Sequence, residues 1–74
     1  MENEKRYNVY IMSDAGKAQA LIGSNMNERQ ADKRVMSGLM RIDRDNFFVA
    51  DLEVGSEADL EAKKQLTKKY YVQH

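Results

Sequence analysis

The first half of the chain begins with two segments in which apolar and polar residues alternate. In segment 5–12 (KRYNVYIM) β-branched and aromatic residues alternate with polar ones, which is typical of a strand. Segment 17–23 (KAQALIG) predicts a second strand. Between them lie turn residues that include Gly16, which can adopt a positive φ without steric cost. Two short strands joined by such a turn predict a β-hairpin.

The middle of the chain changes to helical spacing. Asn27 is followed three residues later by Gln30, a variant of the capping box that starts a helix. The helix is predicted from there to about Arg41, and Gly38 inside it costs roughly 1 kcal/mol of helix propensity. Close packing of the helix on the sheet at Gly38 would explain why a glycine is present despite this cost. The apolar residues that form one stripe along this helix are Ala31, Val35, Leu39 and Ile42.

The second half of the chain predicts one more strand and one more helix. Segment 47–54 (FFVADLEV) alternates with a period of two. Ser56, with Asp59 three residues later, predicts the cap of a helix over residues 57–70. Acidic residues at its start and lysines near its end suit the helix dipole. Its apolar face is poor, so we expect Leu66 to be the main anchor and Leu60 to be largely exposed.

These elements predict a small single α+β domain over residues 1–74. Their order is ββαβα, and we expect a mainly antiparallel three-stranded sheet with both helices packed on one face. Residues 1–4 and 71–74 are expected to fray. The final residues also fit a short strand, and the sequence does not decide between the two.

Composition limits how so small a domain can gain stability. The chain has 74 residues, no cysteine and a single histidine, His74. Disulfides and thiolate metal sites are therefore excluded, and we expect neither a metal nor a cofactor. Small domains that lack both often self-associate. The twelve basic and twelve acidic residues cancel, which removes the overall electrostatic case for nucleic acid as a partner.

The predictions of cellular location and of catalytic activity rest on features that the sequence does not contain. No apolar run reaches the length of a membrane span, and the start has no apolar signal-peptide core. A chain without cysteine suits a reducing compartment, so cytoplasm is expected. No nucleophile has a base nearby, and the pair Asp51 and Glu53 is more typical of a solvated strand face than of acid–base catalysis. We therefore expect no catalytic residues and no enzymatic activity.

The predicted function is that of an interaction or accessory module. If both helices cover one face of the sheet, the other face carries a large apolar area with a polar rim, which is typical of an interaction site. We expect a protein partner, or a second copy of the chain, to bind there. The residues predicted to form this outer face are Tyr10, Met12, Leu21, Phe47 and Val49.

A second predicted surface and an alternative function remain open at this point. The flank of the first helix is a predicted secondary surface, where adaptable methionines lie beside basic residues; its members are Arg29, Lys33, Met36 and Met40. The alternative function is nucleic-acid binding, with Tyr10 and Phe47 as stacking platforms and Arg6 and Lys17 on phosphates. The acidic residues on the same strand face and the zero net charge argue against it.

Overall fold

The computed structural model describes residues 4–71 of the chain, and these form three strands and two helices. The predicted order ββαβα is confirmed. The predictions for residues 1–3 and 72–74 lie outside the described residues. The elements are β1 (Tyr7–Ser13), β2 (Ala18–Met26), α1 (Glu28–Leu39), β3 (Phe47–Glu53) and α2 (Glu57–Tyr71).

The sheet is antiparallel throughout, and β1 is its central strand in the order β2-β1-β3. The ladder between β1 and β3 is regular from Tyr7, opposite Glu53, to Ser13, opposite Phe47. The ladder between β1 and β2 is broken by three register shifts. The predicted antiparallel three-stranded sheet is therefore confirmed, with one regular edge strand and one irregular edge strand.

The two helices lie on opposite faces of the sheet, whereas the sequence predicted both on one face. A Cβ added to Gly38 of α1 would meet the side chains of Ile22 and Val49. On the other side, α2 contributes Ala62 and Leu66 to a cluster with Tyr10. Val49 pairs with Ile11 and Ala50 pairs with Tyr10. Since neighbouring residues of a strand point to opposite faces, α1 and α2 are separated by the sheet.

The prediction failed because both faces of this sheet are apolar. Alternation shows which residues of one strand share a face, but it does not say which face of the next strand matches it. The predicted outer face combined Tyr10 and Met12 of β1 with Phe47 and Val49 of β3. In the structure Tyr10 and Met12 instead pair with Ala50 and Phe48, which share the face of α2.

The local signals for both helix starts are confirmed. The Asn27 side chain accepts the amide of Gln30 at 2.8 Å, and the Gln30 side chain accepts the amide of Asn27 at 3.1 Å. At α2, Ser56 Oγ accepts the amide of Asp59 at 3.2 Å. These bonds satisfy amides that a helix start leaves without intrahelical partners.

Candidate protein interface

The five residues predicted to form one outer sheet face do not share a surface. Tyr10 is 0% exposed and lies with Met12 in the cluster beneath α2. Phe47 and Val49 are half-buried on the face of α1. Leu21 alone among the five is exposed, on the edge strand β2. The prediction of a single uncovered face is wrong because each face carries its own helix.

The predicted secondary surface does lie on the outside of α1. Met36 is 67% exposed and Met40 is 81% exposed, and both Arg29 and Lys33 are exposed. The spacing of these residues places them on the side of the helix away from the sheet. Whether a partner binds there stays a prediction.

The four residues of the nucleic-acid hypothesis are dispersed. Tyr10 is buried beneath α2, and Phe47 belongs to the opposite face. Arg6 precedes β1 and lies 3.7 Å from Glu4, whereas Lys17 lies at the other end of the strand, beside the hairpin turn. This arrangement offers no open sheet face on which Tyr10 and Phe47 could stack bases together.

A buried aspartate in α2 ties the helix to the sheet. Asp59 is fully buried, and its Oδ1 accepts hydrogen bonds from Asn8 Nδ2 at 2.8 Å and from the Tyr10 hydroxyl at 2.7 Å. Its Oδ2 accepts the amide of Gly55 at 3.0 Å and lies 3.6 Å from Lys63 Nζ. The carboxylate therefore has partners for both oxygens, as a buried charge requires.

The same network reaches the irregular strand β2. Asn8 Oδ1 accepts the amide of Asn25 at 2.8 Å, and Asn25 has a positive φ of 56°. Asn8 therefore connects Asn25, the residue of β2 with a left-handed backbone conformation, to Asp59 of α2. Sequence reasoning treated Asp59 only as part of a helix cap and missed this role, because an aspartate near a helix start is common.

The network shifts the pKa values of two of its members in opposite directions. Burial raises the pKa of Asp59, but hydrogen bonds from Tyr10, Asn8 and the Gly55 amide, with the charge of Lys63, outweigh burial and hold it below the ordinary 3.8. Burial, followed by the hydrogen bond to Asp59 and its charge, raises the pKa of the Tyr10 hydroxyl well above the ordinary 10.0. The folded state therefore favours the ionised carboxylate and the neutral phenol.

These shifts predict a pH plateau in the free energy of unfolding. The contribution of Asp59 is complete above pH 3.8 and is lost as the pH falls through the lower folded-state pKa. The contribution of Tyr10 is complete below pH 10.0 and is lost as the pH rises above it. Urea denaturation across this range should give midpoints that fall at both ends. Asp59→Asn should flatten the acidic limb, and an acidic limb of unchanged depth in this variant would contradict the assignment.

The outer edge of β3 presents backbone groups to solvent. The amide of Val54 donates to the Arg6 carbonyl at 2.8 Å, and the amide of Asp14 donates to the Asn46 carbonyl at 2.9 Å. In an antiparallel strand the backbone N–H and C=O groups of successive residues point alternately toward the neighbouring strand and away from it. These two bonds therefore show which residues of β3 bond to β1 and which point outward. The residues whose backbone groups point away from β1 are Phe47, Val49, Asp51 and Glu53.

Two of these eight outward groups are satisfied by local turns. The amide of Phe47 donates to the Asp43 carbonyl at 2.9 Å, and the carbonyl of Glu53 accepts the amide of Ser56 at 3.0 Å. Six groups remain without a hydrogen-bond partner among residues 4–71. They are the carbonyl of Phe47, the amide and carbonyl of Val49, the amide and carbonyl of Asp51, and the amide of Glu53.

Exposed apolar side chains accompany this edge. Phe48, on β3 itself, is 42% exposed, and Val54 directly follows the strand. In α1, Arg34 lies beside Gly23 of β2, so that flank of the helix faces β2. The edge therefore combines free backbone groups with apolar contact area.

The same argument places an exposed leucine of α2 on the β3 side. Gln65 Oε1 accepts the amide of Ala18 of β2 at 2.6 Å, so that flank of α2 faces β2. Leu60, which is 56% exposed, lies on the opposite flank at helical spacing. The predicted exposure of Leu60 and the packing of Leu66 in the core cluster are both confirmed.

Comparison with protein-family models, with curated proteins and with solved structures gives no match to this chain. Neither helix of the described chain is long and apolar enough to span a membrane. Within residues 4–71 no three histidine, cysteine, aspartate or glutamate side chains are grouped as they would be to hold a metal ion. The function is therefore inferred from the geometry of this chain alone.

Proposed function

We propose that the protein is a non-enzymatic, cytoplasmic interaction module that binds an extended polypeptide strand along the free edge of β3. The observation that carries the proposal is the regular, unbroken edge of β3 with its six free backbone groups. An added strand would pair with these groups, a recognition mode in which main-chain hydrogen bonds supply much of the affinity.

The contrast between the two edges supports β3 as the binding edge. Exposed regular edges attract other chains, and proteins usually protect them with bulges, charge or proline. The ladder of β2 has three register shifts, and Gln65 covers the amide of Ala18. The edge of β3 has neither irregularity nor cover in the described chain, and its sequence FFVADLE is rich in strand-forming residues.

The test is a selection of random displayed peptides on dilute, immobilised protein. Asp51→Pro removes an amide that points away from β1, so the fold should tolerate it, as edge strands tolerate proline. Asp51→Thr is the matched control, because it removes the same charge and keeps the amide. Peptides of extended, strand-forming sequence should bind wild type and Asp51→Thr, and should bind Asp51→Pro at least about tenfold more weakly.

Thermal melts of the three proteins verify that all are folded. Selected peptides that bind Asp51→Pro as well as wild type would contradict the proposal, as would a selection that yields no strand-forming peptide. Oligonucleotide binding that falls steeply with salt and survives Asp51→Pro would support the nucleic-acid alternative instead.

A further inference from the structure

We infer that the strand bound at this edge is β3 of a second copy of the chain, paired antiparallel about a two-fold axis at Ala50. This inference rests on the proposed function and names the partner. The result is a symmetric dimer with one continuous six-stranded sheet in the order β2-β1-β3-β3-β1-β2.

Hydrogen-bond matching selects this register. With Ala50 opposite Ala50, Val49 of each copy faces Asp51 of the other, and these two pairs exchange four hydrogen bonds. Phe47 then faces Glu53 of the second copy, where the free carbonyl of Phe47 accepts the free amide of Glu53. The Phe47 amide and the Glu53 carbonyl have no partner across the interface. They need none, because the first already donates to Asp43 and the second already accepts from Ser56. All six free groups of each copy are thereby satisfied.

Neighbouring registers satisfy fewer groups and oppose like charges. Only outward-pointing residues can bond each other, so the register shifts in steps that keep odd-numbered residues paired with odd-numbered ones. With Val49 opposite Val49, Glu53 faces Asp45 of the other copy. With Asp51 opposite itself, two carboxylates face each other directly. Like charges directly opposite destabilise a strand pair, so the register centred on Ala50 is favoured on both grounds.

Helix α1 leaves room for this pairing. Helix α1 contacts all three strands, so its copies would be separated by three strand spacings, about 14 Å. Helices in direct contact are about 8–10 Å apart, which leaves a narrow gap. The irregular β2 edges remain outside, so the assembly closes at two copies.

The test uses the absence of cysteine from the chain, because any introduced cysteine is unique. Ala50 opposite Ala50 is a pair without direct hydrogen bonds, with Cα atoms about 4.5 Å apart, which a disulfide can bridge. Ala50→Cys should therefore form a disulfide dimer by exchange with oxidised glutathione, which is reduced to two molecules of the thiol. Val49→Cys and Asp51→Cys, which report the two neighbouring registers, should form at least about tenfold less.

Sedimentation measures the association without a cross-link. Wild type and Asp51→Thr should be dimeric at high concentration, and Asp51→Pro should raise the dissociation constant at least about tenfold. Equal cross-linking at all three positions, or a monomeric wild type at every concentration, would overturn the inference. If the protein is monomeric but still selects peptides that depend on the β3 edge, self-pairing is refuted and the proposed function stands. If the protein is monomeric and selects no such peptides, self-pairing and the proposed function are both refuted.

Discussion

Asp59→Ala is expected to lower the free energy of unfolding by about 3–5 kcal/mol. The substitution leaves the Tyr10 hydroxyl, the Asn8 amide and the Gly55 amide without their shared acceptor. A domain of this length has a total stability of only about 4–11 kcal/mol. The variant should therefore lose a large fraction of its stability, and urea denaturation followed by circular dichroism should show a much lower midpoint.

Two controls separate the network from general effects on the helix. Glu57→Ala removes an exposed acid from the first turn of α2 and should cost no more than about 1 kcal/mol. Asp59→Asn keeps the shape and one carbonyl oxygen, so its cost should lie between those of the two alanine variants. A loss for Asp59→Ala as small as that for Glu57→Ala would show that the carboxylate does not hold α2 on the sheet.

Gly38→Leu is expected to cost about 2–3 kcal/mol, because it forces a side chain between α1 and the sheet. A Cβ at this position would lie 2.9 Å from Ile22 Cδ1 and 3.2 Å from Val49 Cγ2. Gly38→Ala should stay within about 1 kcal/mol of wild type, since Ile22 Cδ1 is the mobile end of its side chain and alanine gains helix propensity. Thermal or urea denaturation measures both.

The matched control for Gly38→Leu is the neighbouring exposed position. Ser37→Leu adds the same side chain on the solvent side of α1, where a surface substitution should change stability by less than about 0.5 kcal/mol. Equal costs at positions 37 and 38 would mean that α1 does not approach the sheet closely at Gly38.

Local signals in the sequence predicted the elements well. Asn27 with Gln30 and Ser56 with Asp59 marked the helix starts, because capping depends on residues close together in the chain. Gly38 indicated close helix–sheet packing, since a glycine inside a helix costs helix propensity that such packing can offset. The strand order, by contrast, required the long-range pairing of β1 with β3.

The candidate site was harder to predict than the fold. The sequence placed Tyr10 on an open face, and in the structure Tyr10 is buried and donates to Asp59, 49 residues later in the chain. No periodicity reports a contact over that distance. Helix α2 covers the second face, so the candidate site is the edge of β3. The free backbone groups of that edge depend on which β3 residues bond to β1, and the sequence does not reveal this.

Residue-resolved amide hydrogen exchange at low and high protein concentration tests the use of the β3 edge most directly. The amides of Ala50 and Leu52 pair with β1 and should be protected at both concentrations. The amides of Val49 and Asp51 should exchange rapidly in dilute protein and become protected as the second copy binds. Val49 and Asp51 amides that exchange equally fast at both concentrations, while those of Ala50 and Leu52 stay protected, would contradict pairing at this edge.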